Sequence, residues 1–346
     1  MKKNSFGSIV AGTVFFVFLF IFTEEFSAGI SKGLTNCAKI VIPSLFPFLA
    51  ASSLISCGEL PDKLKRILNP LTNLLFKLPA DCLSAIVLGQ LGGYLSGAKT
   101  AQTLYASGTL SRSQAKRLLL FNVNAGMGFS VNAVGSILLN SRESGRILLI
   151  SLCISSLILG IFLRFMPDEN NGSEKLPVSH PSLSSAMVES VSSGAISTLA
   201  ACAFVAVFSG ITAVIEVHVP DETVKLAAAC LLEVTNGCMN AAGKISLPLL
   251  AAICAFGGIC VHMQVFSIAK DIKISLLRFY IFRILHALLA FAACSALLHF
   301  FPIEEQVFVS FSKNAAIWSF SAPASISLLF FSAILILDLD NKGEIC

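Results

Sequence analysis

Lys99 and Glu233 open the reading, because each charged side chain stands inside long apolar sequence. A cation held within a membrane costs at least about 2.5 kcal/mol unless it snorkels, pairs or faces water. Lys99 closes the stretch Gly89-Gln90-Leu91-Gly92-Gly93-Tyr94-Leu95-Ser96-Gly97-Ala98-Lys99. Two readings stay open for it. It binds an anion beside a broken helix end, where backbone N–H groups and the helix dipole also favour negative charge. Otherwise it snorkels to the headgroups. Glu233 begins the second stretch, Glu233-Val234-Thr235-Asn236-Gly237. A lone carboxylate there carries a coupling proton, coordinates a cation, or pairs with Lys99 or a backbone amide. The plainer alternative is an ion pair that only fastens two elements together.

Uncharged groups cluster near the same places. Ser96, Asn122, Asn124, Asn132, Thr235 and Asn236 can orient a ligand in an apolar pocket. They can equally hold helices together, for ~0.6 kcal/mol each. Gly92, Gly93, Gly97, Gly237, Gly257 and Gly258 allow backbone to approach a ligand. Tyr94 stacks on an aromatic ligand or caps broken backbone. His262 and Gln264 follow the Gly257-Gly258 pair, and a buried histidine either relays a proton or is simply hydrogen-bonded.

These residues need elements to hold them, and composition says which. Hydrophobic residues make up 55%, charged residues 13%, and the mean hydropathy is +0.82. Soluble domains carry about a quarter charged residues. The sequence therefore predicts an all-α polytopic membrane protein. Spans are expected over 8–24, 37–57, 118–139, 146–166, 187–215, 247–269, 276–300 and 315–338, about eight spanning helices in all. Two broken re-entrant hairpins are expected over 80–107 and 224–244. Lipid cannot satisfy broken backbone, so such breaks must face protein or a water-lined cavity. Breaks at matching places in two halves mark a secondary transporter built from repeats.

The expected organisation runs in five parts. An N-terminal helix over 1–36 reads as uncleaved, although Lys2 and Lys3 before an apolar run resemble a signal peptide. A first repeat covers 37–166, a polar linker 167–185, a second repeat 186–300, and a C-terminal helix and tail 301–346. Each repeat has a span, a hairpin and two more spans. Three crossings per repeat make the second copy inverted relative to the first. Leucines mixed with Lys63, Lys65, Arg66 and Lys77 make 60–78 an amphipathic helix at the interface. With the N-terminus in the cytoplasm, 60–77, 109–117, 164–185 and 270–283 fall inside and, with Lys2, Lys3 and Lys342, hold 16 of the 24 basic residues. That bias sets the orientation.

Other classes drop out. The net charge of +4 is spread through short loops and carries no nucleic-acid signal. The 11 cysteines form no CxxC or CxxH pair and read as small packing residues. HExxH, P-loop and dinucleotide motifs are missing, so neither an enzyme nor an ATP-driven pump is expected, and no cofactor or metal is called for. The expected partners are lipid and a small solute.

At these residues the chain resembles the YlbJ-type sporulation integral membrane proteins, within the wider nucleoside recognition (Gate) domain superfamily. The resemblance rests on Ile42-Pro43-Ser44-Leu45-Phe46-Pro47-Phe48-Leu49, on the stretch from Leu88 to Lys99, and on Phe121-Asn122-Val123-Asn124-Ala125-Gly126. In the second half it rests on Leu232-Glu233-Val234-Thr235-Asn236-Gly237 and on the stretch from Phe256 to Gln264. It runs from about 37 to 300. Leu95 and Met127 stand where the family usually has proline. The resemblance implies a transporter-like fold related to concentrative nucleoside transporters and a role in endospore formation. It points to dipicolinate, a planar aromatic dianion, as solute, with a nucleoside or another metabolite as the alternative. A non-transporting receptor or assembly platform is the third reading. It implies the bacterial cytoplasmic membrane, and the outer forespore membrane in a sporulating host. Protein partners would be a second copy of the chain or other sporulation membrane proteins.

Overall fold

The computed structural model describes residues 3–56, 58, 61–166 and 182–303. The expected span 315–338 and most of the 167–185 linker lie outside the described residues. Among the described residues the chain is helical and has no strand. Five helices are long and apolar enough to cross a membrane: Thr23–Ser56, Arg142–Leu163, Leu183–His218, Leu247–Ile268 and Leu276–Phe300. Their outer faces expose Ile196, Leu199, Leu277 and Leu288, a surface suited to lipid rather than water.

Helix α1 (Lys3–Ile21) has an apolar part, Ile9–Ile21, shorter than a full span. Helix α2 (Thr23–Asn36) continues through a π-helical turn, Cys37–Val41, into α3 (Ile42–Ser56). The expected span 37–57 is thus the second part of a longer rod, and residue 36 falls within it. That rod packs along α9 (Leu183–His218). Gly29 and Gly33 make the approach possible. A Cβ on Gly29 would stand 2.6 Å from the Ala213 Cβ, and one on Gly33 would stand 2.7 Å from the Ser209 Oγ. Small residues four apart bring membrane helices into this kind of close contact.

Helix α4 (Asp62–Phe76) is amphipathic as expected. Leu64, Ile67, Leu71 and Leu74 form one exposed apolar stripe at helical spacing, while Thr72 and Phe76 are buried. Lys65 pairs with Asp81 at 3.0 Å.

Both hairpins are present as folded-back pairs. Only Gly93 separates α5 (Cys82–Gly92) from α6 (Tyr94–Ala106). Its φ of 103° lies where L side chains rarely go. The legs then close on each other, and a Cβ on Gly97 would stand 3.3 Å from the Gly89 Cα. In the second half, Glu233 alone separates α10 (Glu222–Leu232) from α11 (Val234–Ala241). There a Cβ on Gly237 would stand 2.6 Å from the Cys230 Cα.

A broken segment follows each hairpin. The expected span 118–139 is two pieces, α7 (Arg112–Phe121) and a π-helix, Gly128–Leu138, joined by non-helical backbone. Within the π-helix, the Ser130 and Ser136 hydroxyls donate five residues back, to the carbonyls of Ala125, just before it, and of Val131. These bonds match the wider π-turn. The expected span 247–269 is α12 (Leu247–Phe256) and α13 (Gly258–Ile268), broken at Gly257 with φ 85°. Each half closes with an unbroken helix, α8 (Arg142–Leu163) or α14 (Leu276–Phe300), and these two pack together. Across the halves, α6 lies on α13 and α11 lies on the π-helix.

Candidate functional site

Every break in a buried helix frees carbonyls at one end and amides at the other. Away from water each unpaired group is costly, so the partners found for them locate the site. At the end of α7, Ser156 donates to the Phe121 carbonyl at 2.6 Å. Arg283 of α14 donates through Nη2 to the Leu120 carbonyl and through Nη1 to the Val123 carbonyl. Its guanidinium is fully buried over the Phe279 ring, and His286 lies 3.3 Å away. At the end of α12, the Tyr94 hydroxyl donates to the Cys254 carbonyl at 2.6 Å. His262 Nε2 lies 2.7 Å from the Phe256 carbonyl. The capping is reciprocal: a residue of the second half closes the first break, and a residue of the first half closes the second.

Polar side chains of the first break are used in the same way. Asn122 donates to the Ala85 carbonyl at 2.8 Å. Asn124 donates to Gln90 Oε1 at 2.8 Å, and Gln90 in turn donates to Ser156 Oγ at 2.8 Å. Asn124 Oδ1 also accepts from the Ala125 amide. These amides tie the break to hairpin one. Asn132, expected among them, is exposed on the π-helix instead.

The two hairpin tips converge. A Cβ on Gly126 would stand 2.5 Å from the Gly93 amide nitrogen, so tip one rests on the first break. A Cβ on Gly258 would stand 3.2 Å from the Leu232 carbonyl, so tip two rests on the second. Tyr94 carries tip one across to the second break as well, its ring within 3.3 Å of a Cβ placed on Gly257. Neighbouring residues Gly257 and Gly258 thus meet both tips.

Glu233 is only 1% exposed. Its Oε1 accepts from the Thr235 amide at 2.9 Å and its Oε2 from the Asn236 amide at 2.7 Å. Of the expected partners it has backbone amides, not Lys99, because a carboxylate at this position is the N-cap of α11 and favours the dipole end. The Asn236 side chain donates to Ser209 Oγ at 2.9 Å and accepts from Asn36 at 3.1 Å. Gly237 and Thr235 are buried beside it. At tip one, the corresponding position is Gly93, which supplies no side-chain cap to α6.

The remaining candidates have partners of their own. Lys99 is half-buried, with Nζ 2.7 Å from Ser193 Oγ and 3.4 Å from Ser197 Oγ on α9. Ser96 faces α3, 3.2 Å from Ser52 Oγ. A Cβ on Gly92 would stand 2.7 Å from the Ser96 Oγ. His262 is ringed by Phe256, Phe279 and Tyr280. Gln264 donates to Cys260 Sγ at 3.2 Å.

Sequence reasoning passed over Arg283, His286 and Gln90. Arg283 ends the basic stretch 270–283 and stands near the start of a span, so by sequence it groups with the loop charges. The available signal was Arg283 and His286 three apart within apolar sequence, hence on one helix face. The letters Gly29-Ile30-Ser31-Lys32-Gly33 spell a nucleophile elbow, G-x-S-x-G. They lie within α2, whereas that chemistry needs a strand-to-helix turn. Among the described residues no group of histidine, cysteine, aspartate and glutamate is arranged to hold a metal ion.

Fold and site together define a helical membrane protein with two hairpins whose tips are seated on broken segments. Comparison with family models, with curated proteins and with solved structures gave no match.

Proposed function

We propose that the chain is a secondary transporter for a small anionic solute. The observation that carries this reading is the convergence of both hairpin tips on Gly257 and Gly258. Buried broken backbone is tolerated in membranes where it lines a cavity or is packed in protein, and transporters place solute sites at such half-helix ends. The helix orders support two repeats: each half has a long helix, a hairpin, a broken segment and an unbroken helix in that order, with α4 inserted after the long helix of the first half. We take the second as an inverted copy of the first, with eight crossings once the peripheral segments are included.

Dipicolinate is our first solute, on the family resemblance, and the bacterial cytoplasmic membrane our proposed location, or the outer forespore membrane in a sporulating host. The uncapped start of α6 and the ammonium of Lys99 favour negative charge on the hairpin-one side. The test is uptake by proteoliposomes holding the purified chain, with labelled dipicolinate and a labelled nucleoside offered in parallel. Saturable dipicolinate uptake, abolished in Lys99→Ala while membrane insertion is unchanged, is the expected result. Retained uptake by a well-inserted Lys99→Ala removes the role given to that residue. Nucleoside uptake alone replaces the solute, and uptake of neither turns the reading to a receptor or assembly platform.

A further inference from the structure

The two hairpin tips differ in one respect. In hairpin two the residue between the legs, Glu233, supplies its own anion to the first amides of α11. In hairpin one the residue between the legs is Gly93, and α6 has no side-chain cap. The Glu233 side chain is 1% exposed, and its backbone nitrogen sits against the second break, 3.3 Å from a Cβ placed on Gly258. The titratable groups that interact with it electrostatically are the thiols of Cys37 on the π-helical turn, Cys238 on α11 and Cys260 on α13, and the Tyr94 phenol on α6. Among the described residues these are thiols and a phenol, none of them basic. Burial opposes the carboxylate and the two amide bonds favour it. Any movement of the tip changes both effects together.

We propose that Glu233 is a proton-binding site that operates hairpin two, its carboxylate acting as the removable cap of α11. One proton added to the carboxylate gives a carboxylic acid. The oxygen that takes the hydrogen becomes a donor and a poorer acceptor, so one of the two amide bonds weakens and the tip loosens. Loss of the proton restores both bonds and seats the tip. Movement of the hairpin is thereby tied to uptake or release of one proton. This deepens the transporter reading and rests on it for its purpose, although the proton site itself can be measured without any solute.

Infrared difference spectra of the full chain in lipid bilayers, recorded across the pH range in which it stays folded, test the site. A protonated-carboxyl band that titrates in the wild type, disappears in Glu233→Gln and moves in Glu233→Asp is expected. A wild type without a titrating band that exchanges slowly in D2O overturns the proposal, as does an unchanged band in Glu233→Gln. If the Gln variant does not fold, the wild-type and Asp spectra decide. In the same proteoliposomes, an imposed pH gradient should speed dipicolinate uptake several-fold in the wild type and leave the rate of Glu233→Gln unchanged. Equal stimulation of both overturns the coupling. A titrating band with uptake of neither dipicolinate nor the nucleoside upholds the proton site and overturns the transporter reading.

Discussion

Arg283 does work that a neutral side chain could not, because it meets two carbonyls at the open end of α7 with one planar group. A bond to a charged donor contributes about 1.5–3 kcal/mol, and a buried carbonyl left bare loses that and its hydration. Arg283→Met should therefore destabilise the protein by about 3 kcal/mol or more, read as a lower thermal midpoint in detergent. Arg283→Lys should recover only part, since an ammonium on a flexible stem does not fork between two carbonyls in the same way. Lys99 and Glu233 were legible as sites of interest because charge is conspicuous in apolar sequence. Their partners were not. Glu233 is satisfied by amides two and three residues along its own chain, and Lys99 by hydroxyls on α9 more than ninety residues away. The first follows from capping geometry and the second only from tertiary packing.

Hairpin one depends on how closely its legs and the first break can approach. A Cβ on Gly97 would stand 1.9 Å from the Asn122 carbonyl oxygen, which is backbone and cannot swing aside. Gly97→Ala should cost at least the ~1–3 kcal/mol typical of overpacking and sharply reduce recovery of monodisperse protein. Gly12→Ala, where nothing lies within 4 Å, is the silent control. At the outer end of hairpin two, Asp221 caps α10 by accepting from the Thr223 and Val224 amides. The Val224 bond, then the Thr223 bond, hold its carboxyl below the usual carboxylate range. Such a group stabilises the fold above its unfolded pKa, and that contribution fades as pH falls through the lower folded value. Asp221→Ala should thus lower the thermal midpoint near neutrality, with the gap to wild type closing on acidification through that window. The hairpins were legible because glycines and lone polar residues interrupt apolar runs. The break after Phe121 was read as an intact span, since Asn122 to Gly126 contains no proline and lies between two apolar stretches. What breaks it is the competition from Gln90, Ser156 and Arg283 for its backbone and side chains.

At the scale of the whole chain the halves hold each other's breaks closed. Tyr94 reaches α12, and Arg283 reaches α7. Neither half should be stable alone. Segments 1–166 and 167–346 expressed separately should be degraded or aggregate, and co-expression should restore a complex that survives extraction. Stable, monodisperse single halves would show that cross-capping is dispensable. Membrane class was legible from composition alone, because hydropathy reports on the solvent directly. The reciprocal capping was not, because a contact between Tyr94 and Cys254 spans 160 positions and leaves no local pattern. It also bears on how the chain is made. Arg283 lies 160 residues after Val123, and a ribosome adds about 5–20 residues per second. For roughly 8 to 32 seconds of synthesis the first break is in the membrane without its guanidinium. Through that interval an insertase, a chaperone or local water must stand in for it. Slowed translation between the halves would lengthen the exposure and give quality-control proteases their opening.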